Sequence, residues 1–203
     1  LCLDKTGTIT EGRMRVSDVW IVNDKILKDS VDNVMSAFVS NMEESNATFL
    51  ALKDYFKETT SYEVIDSISF SSERKWSSLS FKSLGTIVIG APEKLALRSK
   101  EKMSKKVIEA QKEGKRILGI AYTKETIRDE NLPLLQMIGY IVLDDPLRKN
   151  AKEMLGFFKR QKVDIKIISG DNPLTVSSIA KKAGLEDYKS YMDLTTITND
   201  EDI

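Results

Sequence analysis

The chain has 203 residues, 41% of them hydrophobic, with 31 basic and 31 acidic side chains and no histidine, so its formal net charge is +0. That length accommodates one large domain or two modest ones, each with its own core, and the balanced charge gives no broad field for a nucleic acid or an anionic lipid surface. No apolar run approaches the roughly 20 residues that span a bilayer, no basic-then-apolar leader is present, and the single Cys2 cannot form an internal disulfide, which fits a reducing compartment.

The chain opens on "LCLDKTGTIT", an apolar run that stops at Asp4 and is followed by a short turn containing Gly7. It reads as a buried strand delivering a carboxylate to the carboxyl edge of an α/β sheet, with the Cys2 thiol buried in it. A start in mid-strand without Met suggests a piece of a longer chain whose membrane parts lie outside it. "MRVSDVWIV" alternates like a half-buried strand. "DSVDNVMSAFVSN" and "NATFLALKDYFKE" have helical spacing, capped by Asp29 or Ser30 and by Asn46. "YEVIDSISFSS", "WSSLSF" and "GTIVIGA" are strand-like; "KMSKKVIEAQKEGKR" is an amphipathic helix ending at Gly114; "RILGIAYT" and "LQMIGYIVL" are strands. Strands in such close succession favour an antiparallel sheet with helices packed on it.

From Asp144 the rhythm becomes helix, parallel strand, helix. "DPLRKNAKEMLGFFKRQK" reads as a helix with Pro146 near its first turn, "VDIKIIS" as a buried strand and "NPLTVSSIAKKAGL" as a helix with Pro173 near its start. The expected architecture is α/β: a Rossmann-type parallel-sheet domain, residues 1–12 and 144–203, with an inserted antiparallel α+β domain, residues 13–143.

"DKTGT" is the most restrictive pattern. A carboxylate can attack the γ-phosphorus of ATP to form an aspartyl phosphate; Lys5 offsets charge, and Thr6, Gly7 and Thr8 suit an oxygen-binding turn. "IISGDNP" is a second strand running into a loop and a helix N-terminus, where Ser169 and Gly170 can grip a phosphoryl group. Asp171 reads equally as a helix cap or as a group near Mg²⁺.

On these residues the chain resembles the P-type ATPases, membrane cation pumps of the haloacid-dehalogenase-like fold. "DKTGT" is similar to their phosphorylation motif, "DPLR" at residues 145–148 to their hinge motif and "SGDN" to their TGD loop. The resemblance implies that residues 1–12 and 144–203 are part of the phosphorylation domain, with Asp4, Lys5, Thr6, Thr8, Ser169, Gly170 and Asp171 catalytic and Asp4 and the Thr6 carbonyl on Mg²⁺. It implies that the insert binds ATP. "FSSERK" resembles an adenine site in which Phe70 stacks on the base and Lys75 lies near the base or phosphates. "GAPE" at residues 90–93 resembles the KGAPE loop, implying Gly90 and Ala91 beside the nucleotide, Gly90 allowing close approach to backbone. Arg116 resembles an arginine that reaches the phosphates, and Asp145 and Arg148 join the nucleotide-site residues by the same likeness.

Some positions depart from the family pattern. Ile89 stands where many pumps have the Lys of KGAPE, and Phe49 where many have a Glu on the adenine, so the pocket loses polar contacts; Phe49 reads as a core residue or a pocket wall. The GDGxND motif is absent, and Asp4 with the Thr6 carbonyl supplies only two protein ligands to a hard cation, so this piece is expected to bind nucleotide without turnover. Thr6 occupies the position that carries a general acid/base carboxylate in soluble phosphatases of the same fold, which weighs for a pump over a phosphatase with a large cap; a nucleotide-binding module without chemistry is the other alternative. The lack of histidine argues against the heavy-metal branch, whose members carry a His-Pro dipeptide, and "FSSERKW" and "IGAPE" resemble a bacterial calcium branch, with magnesium next. The implied setting is the cytoplasmic portion of a bacterial plasma-membrane protein. Its implied partners are ATP, Mg²⁺ and a transported cation, not nucleic acid.

Overall fold

The computed structural model describes residues 1–57, 62–99, 101–113, 115–170 and 173–192. Gly114 and Asp171 therefore lie outside the described residues. The chain forms two compact units: Leu1–Arg13 with Ala110–Lys115 and Asp145–Ile203, and Met14–Glu109 with Arg116–Asp144. The architecture is the expected α/β one, with a parallel sheet in one unit and an antiparallel sheet in the other.

In the first unit β1 (Cys2–Asp4) pairs in parallel with β8 (Lys166–Ile168), Asp4 opposite Ile168. Helices α5 (Ala151–Arg160) and α6 (Pro173–Lys182) complete it. Its core is Ile9, Ala151, Leu155, Ile179 and Ala183, against which Leu3 and Ile167 pack. Two expectations fail here for one reason. Alternate residues of β1 and β8 face this core while their neighbours face away, so Cys2 is exposed rather than buried and Ile168 is 61% exposed. Pro146 also lies outside any helix, because residues 146–148 are drawn into backbone hydrogen bonds with the Asp4 loop and α5 begins only at Ala151.

In the second unit six strands pair antiparallel in the order β2-β7-β6-β5-β4-β3. These are β2 (Arg15–Ile21), β3 (Val64–Ile68), β4 (Trp76–Phe81), β5 (Gly85–Gly90), β6 (Arg116–Thr123) and β7 (Gln136–Asp144). Helices α1 (Val31–Asn41) and α2 (Ala47–Phe56) share one core with Leu79, Phe81, Ile87, Ile89, Ile120, Ile138, Ile141 and Leu143. Both helices are capped as their sequences predict: Ser30 accepts from the Asn33 N–H and Asn46 from the Phe49 N–H. Beyond Gly90 the chain forms α3 (Pro92–Ser99), a helix the strand-and-loop reading missed although Pro92 at its first position and Glu93 in its first turn signal it. A Cβ on Gly119 would meet Leu95 and Pro92, so α3 covers the sheet face opposite α1 and α2. Helix α4 (Lys105–Lys112) follows.

Covering both faces buries β4 throughout, including its serines. Ser80 Oγ lies 2.6 Å from Thr86 Oγ1 and accepts from the Ile127 N–H, and Thr86 donates to the Glu125 carbonyl. Ser78 Oγ is buried with no hydrogen-bond partner among the described residues. Ser78→Ala is therefore expected to leave stability unchanged or raise it by up to about 1 kcal/mol, whereas Ser80→Ala strands buried partners and lowers it by about 1–3 kcal/mol, measured by urea unfolding.

At the start of α1, Asp29 accepts from the Ser30 N–H, the Asn33 side chain and the Tyr62 hydroxyl. The hydrogen bond to Asp29, with burial second, pushes the Tyr62 phenol up to about 12. A phenol raised in the folded state contributes stability below its unfolded value of about 10 that is lost as pH climbs towards 12. Ultraviolet titration is expected to show a late-ionising tyrosine that moves down in Asp29→Asn.

Candidate functional site

The parallel register puts Asp4 and Ile168 side by side at the carboxyl ends of β1 and β8. The Lys5 turn and the Ser169–Gly170 segment therefore leave the sheet from the same edge. Asp4, Thr6 and Thr8 are exposed, Ser169 is half-buried and Gly170 exposed. An exposed carboxylate beside two loops is accessible to a phosphoryl group, and the helix that follows Ser169 begins at Pro173.

The turn after Asp4 is wide, closed by the Thr10 N–H donating to the Lys5 carbonyl at 3.0 Å. Gly7 has φ +78°, with open space where a Cβ would stand, so backbone conformation rather than crowding demands glycine. Thr10, which sequence reasoning passed over, organises the turn. Its fully buried hydroxyl accepts from the Gly7 N–H at 3.3 Å and donates to Asp145 Oδ2 at 2.6 Å.

Asp145 and Arg148 serve this turn. The other Asp145 oxygen accepts from the Gly12 N–H at 3.1 Å, and the buried Lys5 Nζ is 3.8 Å from Oδ2. Arg148 Nε and Nη2 both donate to the Gly7 carbonyl, its Nε at 3.2 Å. Backbone bonds from Glu11 N–H to the Pro146 carbonyl and from Arg148 N–H to the Ile9 carbonyl complete a short antiparallel clasp. Thus residues 145–148 brace the turn that follows Asp4. No local spacing announces this, because Thr10 and Asp145 are 135 positions apart.

Asp4 and the Thr6 carbonyl are hard oxygen donors of the kind Mg²⁺ takes, and that ion commonly uses one or two protein groups with phosphate and water filling the rest. Among the described residues no cluster of three or more His, Cys, Asp or Glu side chains forms a metal site.

The second group of residues lies wholly in the other unit, two of them tethered at or just before the first turn of α2. Phe70 is 46% exposed, and its N–H donates to Glu44 Oε1 at 2.8 Å. Arg116, exposed at the start of β6, donates to Thr48 Oγ1 at 3.2 Å. Lys75 is exposed, with φ +62°, and its carbonyl accepts from the Ala91 N–H at 2.9 Å. Gly90 is required by its own sheet: a Cβ there would stand 2.5 Å from Trp76 Cβ and 2.6 Å from the Lys75 carbonyl, so glycine permits the close approach of β4. Ile89 and Phe49, the apolar departures, are 4% and 3% exposed and belong to the core beneath.

The family model for haloacid dehalogenase-like hydrolases matches residues 1–200. The chain belongs to that family. It is 38% identical, over 99% of its length, to the probable cation-transporting ATPase exp7 of Streptococcus pneumoniae, and 32% identical, over 91% of its length, to the calcium-transporting ATPase CtpE of Mycobacterium tuberculosis. It spans only 26% and 23% of those relatives. A crystal structure of a zinc-transporting PIB-type ATPase in its E2.Pi state shares the fold with a TM-score of 0.68 at 18% identity, covering 91% of this chain and 28% of that one.

The Thr10 hydroxyl is expected to matter more than its place in the motif suggests. Thr10→Val should destabilise the first unit by about 1–3 kcal/mol, with Thr10→Ser close to wild type, measured by denaturant unfolding.

Proposed function

We propose that the chain is the nucleotide-binding domain, residues 13–143, and part of the phosphorylation domain, residues 1–12 and 144–203, of a bacterial P-type cation-transporting ATPase. The observation that carries this reading is the β1–β8 register, with Asp4 exposed at the edge shared with Ser169 and Gly170. Similarity to cation-transporting ATPases over nearly the whole chain supports it. No helix among the described residues is long and apolar enough to cross a membrane. The membrane portion and the ion sites belong to the rest of such a pump.

In this reading Phe70 stacks on the adenine, and Lys75 and Arg116 hold phosphates from the exposed rim. An Asp4 carboxylate oxygen attacks the γ-phosphorus, a new O–P bond forms, the bond from the γ-phosphorus to the β–γ bridging oxygen breaks, and ADP departs. Lys5, held beside Asp145, contributes positive charge near the reacting carboxylate. Bound Mg²⁺, on Asp4 and the Thr6 carbonyl, would neutralise charge on the phosphoryl oxygens. Ser169 and Gly170 orient the phosphoryl group. Thr6 supplies no carboxylate for rapid hydrolysis, so the phosphoenzyme persists long enough to be coupled to a conformational change. Calcium is the proposed cargo, supported by the likeness to CtpE, with magnesium second.

Calorimetric titration with ATP, ADP and GTP tests this. Phe70→Ala should weaken adenine-nucleotide binding by about 1–3 kcal/mol through lost stacking, while Asp4→Asn leaves it nearly intact and, in the intact pump, abolishes the phosphoenzyme. Equal losses in both variants would overturn the division between docking and chemistry.

A further inference from the structure

One peptide group in the second unit is held at both ends by charge. The N–H of Phe70 donates to Glu44 Oε1 at 2.8 Å, and the carbonyl of the preceding Ser69 accepts from Arg74 Nη2 at 2.5 Å. Each charged partner is itself fixed. Glu44 Oε2 accepts from Asn46 Nδ2 at 2.8 Å, and Asn46 is the cap of α2. The Arg74 guanidinium lies over the Trp76 ring, 5.5 Å from its centroid, and its Nη1 is paired with Glu130. Glu44, 26 positions from Phe70, and Arg74, 5 positions from Ser69, thus converge on the peptide that aims the exposed Phe70 ring.

A charged acceptor and a charged donor on one peptide plane is more restraint than an exposed turn needs for its own hydrogen bonding, since water would satisfy both groups. A stacking residue does need it. The ring direction follows from the backbone plane and one χ1 well, and base stacking depends on that direction. The two positions where polar contacts to a nucleotide are missing, Phe49 and Ile89, are committed to the core, so orientation of the stacking ring is what the site has left to refine.

We infer that Glu44 and Arg74 are positioning residues for the nucleobase: through the Ser69–Phe70 peptide they lock the Phe70 ring in its stacking orientation and set the preference for adenine. The inference rests on the proposed nucleotide reading of Phe70.

The test is a double-mutant cycle on the full chain, with ATP and GTP titrations followed by backbone amide shifts, which report weak binding directly. Glu44→Ala should weaken ATP binding roughly fivefold to tenfold and narrow the gap between ATP and GTP. Glu44→Gln, which keeps an acceptor for the Phe70 N–H, should recover most of the loss. In a Phe70→Ala background Glu44→Ala should cost nothing further, an absence of additivity that general loosening of the fold would not produce. Amide exchange at Phe70 should accelerate in Glu44→Ala and not in Glu44→Gln. Where Glu44→Ala collapses the thermal transition, Arg74→Gln runs the same cycle from the carbonyl side. Wild-type affinity in both variants, or losses that add to that of Phe70→Ala, overturns the positioning role while leaving the nucleotide site standing. ATP binding that Phe70→Ala does not weaken, or no binding by the wild-type chain, overturns both.

Discussion

The Asp145 carboxylate is the constraint on which the turn after Asp4 depends. It takes the Thr10 hydroxyl, the Gly12 N–H and the Lys5 ammonium, groups separated from it by more than 130 positions. In the other unit Arg15 of β2 stands opposite Asp144 of β7, so the long intervening segment leaves and returns through neighbouring strands. Closure entropy grows only slowly with loop length, and a segment that folds on its own sheet costs the host turn little. The bracing of the turn comes from distant residues, while the Asp4 carboxylate itself stays exposed.

The same division appears in the second unit. Its core consumes Ile89 and Phe49, and its candidate nucleotide residues are tethered from elsewhere: the Phe70 backbone by Glu44, the Lys75 backbone by Ala91 and the Arg116 side chain by Thr48. Two of these tethers end on or just before the first turn of α2, so the Asn46 cap that starts the helix also anchors the residues around it. A helix end whose own amides are satisfied by Asn46 offers a rigid frame.

What could be read from sequence is what is local. The six antiparallel strands, the α1 and α2 caps and the Asp4 strand followed by a glycine turn all follow from periodicity and turn chemistry within a few residues. The Thr10–Asp145 and Glu44–Phe70 contacts were illegible, because nothing in a short window couples residues that only the sheet brings together. Cys2 was misjudged because a short apolar run cannot tell a strand buried on both faces from one buried on a single face. The structural need for glycine at position 90 was equally illegible, because Trp76, which its missing Cβ makes room for, is a cross-strand neighbour that only the register identifies. Helix α3 is the opposite case, since its signals, Pro92 at the first position and Glu93 in the first turn, are local and overlap the GAPE motif at residues 90–93.

The two kinds of contact proposed for the nucleotide respond differently to solvent. Lys75 and Arg116 are exposed, so their attraction for phosphates acts through water and is screened within about 8 Å at physiological ionic strength. Stacking on Phe70 is short-ranged and nearly indifferent to salt. Phe49 and Ile89 are core residues, so in the proposed site base recognition falls to the ring, and retention of the triphosphate falls to a rim that weakens as salt rises. Under the proposed function, release of ADP after phosphoryl transfer requires loss of only a screened rim contact and one stacked ring, which suits a site that lets go of its nucleotide in every cycle.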